Sequence, residues 1–141
     1  MGREVNILLV EDDQVDIMAV QRAFKQRKIG NPLTIANNGL EALEILRGSK
    51  LSDPLAPPFI IILDLNMPRM NGLEFLEELR KDPAINKSIV FVLTTSKDDQ
   101  DRAQAYEKNI AGYITKSDFD SSFLDAVTML ESYWKIIEFP K

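Results

Sequence analysis

The sequence contains no cysteine and no histidine among its 141 residues. Without cysteine, the chain cannot form a disulfide, a thiolate metal site or a cysteine nucleophile. Without histidine, Ser-His-Asp chemistry, imidazole acid–base catalysis and most zinc sites are excluded, and the chain cannot carry a phosphohistidine. Any chemistry must therefore use carboxylates, hydroxyls, amides, lysine and arginine.

Long apolar runs and positive charge are also scarce. The longest apolar runs, such as residues 59–63, are far shorter than the ~20 residues of a membrane span, and the N-terminus lacks the pattern of a signal peptide. Lys and Arg number 17 against 22 Asp and Glu, so the net charge is -5. This balance disfavours non-specific binding to nucleic acid or anionic membranes. We expect a cytoplasmic protein that binds neither nucleic acid nor membranes.

What the chain does contain is an alternation of short apolar segments and longer amphipathic ones. Near-continuous runs rich in Ile, Val and Phe are typical of strands buried on both faces. They cover residues 7–10, 59–63 and 89–93, with weaker copies at 33–36 and 111–114. Apolar side chains recur at helical spacing over residues 14–28, 39–47, 72–81 and 119–138, with a more polar helix at 99–108. The pattern predicts an α/β fold, a doubly wound five-stranded parallel sheet with five helices.

Helical spacing also predicts the core-facing side chains. They are Val15, Met18, Ala19, Phe24 and others in the first helix, Leu40, Leu43 and Leu46 in the second, Leu73, Leu76 and Leu79 in the third, and Leu124, Val127, Leu130, Trp134 and Ile137 in the last. The last helix carries a second apolar stripe of Phe123, Met129, Tyr133 and Ile136. Because one stripe is enough to pack on a sheet, the second indicates either a homodimer formed through this helix or an exposed C-terminus.

The length of the chain and its longest connection indicate one domain. Residues 48–58 are too few for an interdomain linker, and we expect them to form an exposed loop opposite the ligand-binding end of the sheet. The last helix ends at the C-terminus of the sequence. We therefore expect a single domain over residues 1–141, with no output domain.

Polar residues follow the predicted strands at the ends where open α/β sheets bind ligands. Glu11 and Asp12 follow the first strand, Asp64 the third, Thr94 the fourth and Lys116 the fifth. If the first and third strands are neighbours, three carboxylates share one pocket and repel each other, so they need a cation unless one of them is protonated. Oxygen ligands without His or Cys suit Mg²⁺. Thr94 and Lys116 would then hold a phosphoryl group, with Asp64 as the nucleophile that forms an aspartyl phosphate.

These residues, together with the string Leu-Asp-Leu-Asn-Met-Pro-Arg-Met-Asn-Gly at 63–72, resemble the receiver domain of two-component response regulators. The resemblance covers essentially the whole chain. It implies the flavodoxin-like strand order 2-1-3-4-5, in which the first and third strands are neighbours. It also implies a signalling protein rather than an enzyme, one that catalyses only its own Mg²⁺-dependent phosphorylation and slow dephosphorylation.

The resemblance implies a role for each matching residue. Asp64 resembles the phosphoacceptor, and Asp12 resembles the direct carboxylate ligand of Mg²⁺, with Glu11 acting largely through water. Asn66 would offer its backbone carbonyl to the metal.

The resemblance also implies roles at the fourth and fifth strands. Thr94 resembles the switch hydroxyl, and Tyr113 the aromatic side chain whose rotamer is coupled to it, although Tyr113 taken alone is equally a core residue. Lys116 resembles the lysine that pairs with the phosphoryl group. Asn66 and Ser96 occupy the two variable positions that tune hydrolysis of the acyl phosphate.

The sequence departs from the family pattern after this lysine. The family usually has a proline there in a cis peptide, whereas this chain has Ser117. A cis bond before a residue other than proline costs about 3 kcal/mol, so we expect a trans Lys116–Ser117 peptide or local strain. Asp13 makes a third acid in the first loop and has no predicted role. The acids at 98–101 favour a helix N-terminus or, alternatively, form a partner-contact patch.

A narrower similarity concerns the stand-alone receivers that serve bacterial, especially cyanobacterial-type, phytochrome histidine kinases. It rests on residues 48–58, 94–96, 114–117, 133–134 and 139–140. It implies a sensor histidine kinase, a phytochrome among the candidates, that phosphorylates Asp64. The output would be a switched protein-interaction surface or relay of the phosphate to a histidine on another protein.

Other functions fit the residues less well. A phosphatase or phosphomutase with an aspartyl nucleophile would want a second acid where Asn66 stands. A flavin-binding electron carrier would want a hydroxyl- and glycine-rich loop where this chain has the acids 11–13, which repel phosphate. A degenerate receiver, which binds partners without phosphorylation, would usually lack an acid, the lysine or the threonine; only Ser117 points that way.

Overall fold

The structure, a computed structural model, describes residues 4–115 and 121–140, with the side chains of the last helix described from Asp125 onward. Within these residues five strands alternate with five helices. The strands are β1 (Asn6–Val10), β2 (Leu33–Ala36), β3 (Phe59–Leu63), β4 (Ile89–Thr94) and β5 (Gly112–Thr115). The helices are α1 (Gln14–Gln26), α2 (Gly39–Arg47), α3 (Gly72–Lys81), α4 (Asp99–Glu107) and α5 (Ser121–Ile136). The predicted alternation is confirmed.

The strands form one parallel sheet in the order β2-β1-β3-β4-β5. In the centre of the sheet, Val10 pairs with Ala36 on one side and with Leu63 on the other. The carboxyl ends of β1 and β3 therefore lie side by side. The fold class and strand order predicted from the sequence and the resemblance are both confirmed.

Helices cover both faces of the sheet. One core lies under α2, α3 and α4, where Phe75, Leu76 and Leu79 of α3 are fully buried. The other lies under α1 and α5, where the rings of Phe24 and Trp134 have centroids 6.1 Å apart. Since both faces are covered, consecutive residues of the central strands are all buried, which explains their continuous apolar runs.

The predicted core-facing stripe is partly wrong in two helices. Val15 and Met18 of α1 are 69% and 53% exposed, and Leu40 of α2 is 51% exposed. In α1 the residues buried against the sheet include Ile17 and Val20 instead. Apolar residues occupy much of the circumference of α1, so spacing alone leaves two adjacent stripes possible, and packing against the sheet selects one.

The last helix packs as predicted where its side chains are described. Val127, Leu130 and Trp134 are buried. In the second stripe, Tyr133 is half-buried and packs edge-to-face on Phe91, with ring centroids 4.8 Å apart. Met129 and Ile136 are 43% and 81% exposed. The side chains of Phe123 and Leu124 lie outside the described residues.

Two helix boundaries have local causes. We predicted the first helix to run to residue 28, but α1 ends at Gln26 because Lys28 adopts a left-handed φ of 57°. At the other end, the Asp13 side chain accepts the amides of Val15 and Asp16 at 2.8 and 3.2 Å. Asp13 is therefore the N-cap of α1, a structural role for the third acid of the first loop.

Helix α4 is the least embedded helix among those whose side chains are all described. Of its nine residues only Ala105 is buried. The acids at its start act as predicted for a helix N-terminus, since the Asp98 side chain accepts the amides of Gln100 and Asp101. The helix therefore buries little apolar surface, and capping hydrogen bonds fix its start.

The long connection between α2 and β3 is an exposed loop, as predicted. Leu51 within it is 96% exposed. The loop leads into the amino end of β3, where the Pro58 carbonyl accepts the amide of Asn6 at the start of β1. It thus lies opposite the carboxyl ends of the strands. No helix in the described part of the chain is long and apolar enough to cross a membrane.

Candidate functional site

Three carboxylates meet where β1 and β3 end. The Asp64 amide donates to the Val10 carbonyl at 3.0 Å, continuing the pairing of the two strands by one residue. Glu11 and Asp12 follow β1 directly. One oxygen from each of Glu11, Asp12 and Asp64 lies within 4.8 Å of the others. The predicted acidic pocket is therefore present in the fold.

Two of the three carboxylates are buried, which makes their charge costly unless it is compensated. Glu11 and Asp64 are only 3% and 7% exposed, and Asp12 is half-buried. The Oδ1 atom of Asp64 is buried and has no hydrogen-bond partner among the described residues. A buried carboxylate oxygen is costly unless a donor or a cation satisfies it. An all-oxygen set with one orphaned atom fits a hard divalent cation such as Mg²⁺.

The first loop holds one of these acids in place. The Glu11 Oε2 atom accepts the backbone amides of Asp12 and Asp13 at 3.2 and 3.3 Å. These two hydrogen bonds fix the direction of the Glu11 side chain. The loop is thus built to present carboxylate oxygens at the end of the sheet.

Helix α3 begins against the backbone that carries Asp64. A Cβ atom added at Gly72 would lie 2.5 Å from the Asp64 carbonyl oxygen and 2.7 Å from the Cα atom of Leu65. Asn71 and Glu74 form a reciprocal capping box at the start of the helix. Sequence reasoning identified 71–72 as a turn and helix start, which is confirmed, but it missed the close approach that only glycine permits. The sequence did offer one signal of this close approach, because Gly72 is a poor helix former at the first position of a helix.

The loop from Asp64 to α3 is also tied to α2. The Gly39 amide donates to the Met70 carbonyl at 3.0 Å, and a Cβ at Gly39 would lie 2.6 Å from the Met70 Cγ atom. Arg69 in this loop has a left-handed φ of 65°. Asn66 lies in the same loop and is exposed. The loop is therefore fixed from two sides, by α2 and by α3.

Three predicted residues, Thr94, Ser96 and Tyr113, meet at the ends of β4 and β5. Thr94, at the end of β4, is fully buried, and its Oγ1 atom accepts the Ser96 amide at 3.3 Å. The Tyr113 hydroxyl of β5 donates to the Ser96 carbonyl at 3.0 Å. The Ser96 hydroxyl in turn donates to Oδ2 of Asp101 at 2.7 Å. The link from Ser96 to Asp101 was not predicted.

The remaining predicted residues follow the fifth strand. Lys116 and Ser117, and with them the peptide between the two, lie outside the described residues. The preceding residue, Thr115, pairs with Thr94 in the sheet. The end of β5 therefore lies next to the buried Thr94.

Arg80 is a further residue that sequence reasoning missed. Its guanidinium donates to four backbone carbonyls, and burial lowers the pKa of this group below its ordinary value. The acceptors precede β4 and β5 and belong to Asn86, Ser88, Lys108 and Asn109, at 2.7 to 3.0 Å. A single side chain of α3 thus holds the approaches to both strands that supply Thr94 and Tyr113.

Comparison with known proteins identifies the family of this fold. The model of the response regulator receiver domain matches residues 7–128. The chain belongs to the response regulator receiver domain family. Receiver domains are signalling domains rather than metabolic enzymes, as the resemblance implied.

The similar proteins include phytochrome-associated receivers. The receiver is 36% identical over 128 residues to response regulator Rcp1 of Synechocystis sp. (strain ATCC 27184 / PCC 6803 / Kazusa), covering 91% of this chain and 87% of that protein. It superposes on the crystal structure of Mn²⁺-bound Rcp1 with a TM-score of 0.85 at 34% identity, covering 99% of this chain and all of that one. For the phosphorylated cyanobacterial phytochrome response regulator RcpA the TM-score is 0.87 at 31% identity, with the same coverage.

These relatives confirm the resemblance read from the sequence. Their structures match this receiver over nearly the whole chain, and the one of Rcp1 holds a divalent metal ion. The acidic pocket of the receiver, Glu11, Asp12 and Asp64, is a group of oxygen ligands of the kind that such an ion requires.

Proposed function

We propose that this receiver acts as a stand-alone response regulator that accepts a phosphoryl group on Asp64 from a partner histidine kinase. The observation that carries the proposal is the buried Asp64 Oδ1 atom, which lacks a partner among the described residues and lies beside two further carboxylates. An oxygen with unmet hydrogen-bonding capacity at the ligand-binding end of the sheet is suited to nucleophilic attack.

The acidic pocket would hold Mg²⁺ through the side chains of Glu11, Asp12 and Asp64 and the backbone carbonyl of Asn66. When bound, the ion would offset the charge of the carboxylates and of the phosphoryl oxygens. Asp64 would attack phosphorus through a carboxylate oxygen, forming an O–P bond as the P–N bond to the kinase histidine breaks.

The other strand ends would stabilise the product. The Thr94 hydroxyl accepts the Ser96 amide through its oxygen, which leaves its proton for a phosphoryl oxygen. Lys116 would pair with the same group by charge. Thr94, Ser96 and Tyr113 already form one hydrogen-bonded chain. A change at Asp64 would therefore reach the surface around Tyr113, where a downstream protein would bind, with Asn66 and Ser96 setting the lifetime of the phosphorylated state.

The test is phosphorylation of the purified protein by acetyl phosphate, followed on a phosphate-affinity gel with and without Mg²⁺. We expect metal-dependent, acid-stable and base-labile labelling that is lost in Asp64→Asn. The matched control is Asp53→Asn, because Asp53 is an exposed acid in the loop at the opposite end of the sheet. Absence of labelling together with absence of Mg²⁺ binding in the folded protein would refute the proposal.

A phytochrome histidine kinase is the proposed donor because one relative is described as a phytochrome response regulator. The output is either the switched surface or relay to a histidine on a phosphotransfer protein, since this chain has no histidine. Phosphotransfer from a purified phytochrome kinase should outpace transfer from a kinase of another sensor class by at least about tenfold. Equal rates would exclude the phytochrome assignment while leaving phosphorylation of Asp64 intact.

Self-association through the C-terminal helix is a second proposal, based on the exposed Met129 and Ile136. Light scattering at high micromolar concentration should then report a dimer that Ile136→Glu dissociates. Leu51→Glu is the matched control, since Leu51 is equally apolar and exposed but lies in the loop between α2 and β3. A monomer at all concentrations, with and without beryllofluoride, would contradict this proposal.

A further inference from the structure

We propose that Asp101 is a positioning residue for the phosphorylation of Asp64, acting through Ser96 on the hydroxyl of Thr94. This inference rests on the proposed function. Asp101 lies in the first turn of α4, is half-buried, and is not one of the carboxylates of the acidic pocket. Its influence would therefore be indirect.

Ser96 is the residue on which the contacts converge. Its hydroxyl donates to Oδ2 of Asp101 at 2.7 Å, its carbonyl accepts the Tyr113 hydroxyl at 3.0 Å, and its amide donates to Oγ1 of Thr94 at 3.3 Å. The side chain, the carbonyl and the amide of one residue are thus each engaged by a different element. A shift of Ser96 would alter all three contacts together.

Of these three contacts, the hydrogen bond to Asp101 restrains Ser96 most strongly. A hydroxyl that donates to a carboxylate forms a charge-assisted hydrogen bond, which is shorter and roughly twice as strong as a neutral one. The other two contacts join neutral groups at longer distances. Because the hydroxyl has a single proton, Ser96 cannot donate elsewhere while Asp101 accepts it. Asp101 therefore fixes the rotamer of Ser96.

The consequence for Thr94 follows from the direction of its hydrogen bond. The Ser96 amide occupies a lone pair of the Thr94 hydroxyl, so the hydroxyl proton is the part left to meet an incoming phosphoryl oxygen. Groups that are already oriented toward developing charge lower the barrier to its transfer. Without Asp101, the Ser96 amide loses its fixed position and the Thr94 hydroxyl loses its orientation.

Besides these three contacts, the Ser96 hydroxyl oxygen accepts the amide of Asp98 at 3.4 Å, a longer hydrogen bond from a neighbour in the same loop. Thr95, Lys97 and Asp98 are exposed, and α4 buries only Ala105 of its nine described residues. The apolar core therefore does not hold Ser96 in place. This is why a polar side chain on α4 can control its position.

The experiment compares five purified proteins: wild type, Asp101→Ala, Asp101→Asn, Ser96→Ala and the double variant Ser96→Ala/Asp101→Ala. The readout is the rate constant of phosphorylation by acetyl phosphate at saturating Mg²⁺. Mg²⁺ affinity is measured separately from the metal-dependent rise in melting temperature. The matched control is Asp99→Ala, which removes an acid from the same turn of α4 that contacts Arg102 and not Ser96.

We expect Asp101→Ala to slow phosphorylation about fivefold, the size expected for the loss of one hydrogen bond. Asp101→Asn should restore the rate to within about twofold, because its amide oxygen still accepts a hydrogen bond. The double variant should match Ser96→Ala, since both act through one contact. Mg²⁺ affinity should stay unchanged throughout, and Asp99→Ala should behave as wild type.

Three results would overturn the inference. The first is an unchanged rate in Asp101→Ala, and the second is an effect in the double variant equal to the sum of the single effects. The third is an equal loss in Asp99→Ala, which would assign the effect to the charge of the helix terminus. If the wild type is not labelled by any donor, the proposed function itself fails. The wild-type sample therefore distinguishes failure of the proposed function from failure of the inference about Asp101.

Discussion

Helices α3 and α4 stand next to each other on one face of the sheet but are held in different ways. Helix α3 has a capping box and four buried residues, Gly72, Phe75, Leu76 and Leu79, whereas α4 has a single buried residue, Ala105. Helix α3 supports the backbone of Asp64, and α4 is linked to Thr94 through Asp101 and Ser96. The receiver thus holds the backbone at Asp64 by close packing, and it connects the loop after Thr94 to α4 by hydrogen bonds.

The largest expected contrast between the two helices is in the core. Phe75→Ala should lower the free energy of unfolding by about 3–5 kcal/mol, because Phe75 is fully buried and its loss leaves a cavity. Tyr106→Ala in α4 should change it by less than about 0.5 kcal/mol, since Tyr106 is 49% exposed. Urea denaturation measures both. Similar losses would show that α4 is as firmly anchored as α3.

Gly72→Ala tests the approach of α3 to the backbone of Asp64. The added methyl would lie 2.5 Å from the Asp64 carbonyl oxygen, so backbone must move. We expect a loss of about 1–3 kcal/mol in the free energy of unfolding. Gly30→Ala is the control, because no atom of the described residues lies within 4 Å of a Cβ there. A neutral Gly72→Ala variant would mean that the contact relaxes at little cost and that α3 does not restrain Asp64.

Arg80→Met tests the polar part of the anchorage of α3. The substitution keeps much of the aliphatic stem but removes the donors to four carbonyls. The expected loss is about 1–2 kcal/mol, since several of these carbonyls can turn to water. Hydrogen exchange should also quicken in residues 86–89 and 108–112. An unchanged exchange pattern would show that the strands hold these segments without Arg80.

The smallest effect is expected at the C-terminal end of α3, where Asp82 pairs with Arg47. The hydrogen bond from the Arg47 side chain at 2.9 Å, with a second from the Ala84 amide, holds the pKa of the Asp82 carboxyl below its ordinary value of 3.8. A lowered pKa means that this contribution to stability is complete above pH 3.8 and is lost as the pH falls through the folded-state value.

The pH dependence of Asp82→Asn measures this contribution. The difference in free energy of unfolding between wild type and the variant should be largest near neutral pH and should shrink below about pH 4. Asp53→Asn serves as the reference, because Asp53 is an exposed acid in the loop between α2 and β3. A difference that is constant from pH 7 to pH 2 would show that the pair with Arg47 is not formed in solution.

The sequence predicted the sheet well because strands buried on both faces are recognised from composition alone. Residues 59–63 are continuous and apolar, and β3 covers the same five residues. The position of each acid at a strand end then followed from the topology. Periodicity failed where a helix was apolar on two sides, so that Val15 and Met18 were predicted inward and are exposed.

Contacts that depend on distance could not be predicted. The approach of Gly72 to the Asp64 carbonyl and the bond from Ser96 to Asp101 join segments whose spacing is fixed only by the packed fold. Two of the four carbonyls at Arg80, those of Lys108 and Asn109, belong to a loop 28 and 29 residues further along the chain. Asp13 was within reach of prediction, because an acid just before a helix is a common N-cap.

The loop between α2 and β3 offers a site for attaching a single spectroscopic label to this protein. Leu51 is 96% exposed at the end of the sheet opposite the acidic pocket, and the chain has no thiol of its own. A Leu51→Cys variant would therefore take a single fluorophore or spin label at one defined position. Such a label would be remote from the acidic pocket and would report local mobility, overall tumbling and association with another protein without touching Glu11, Asp12 or Asp64.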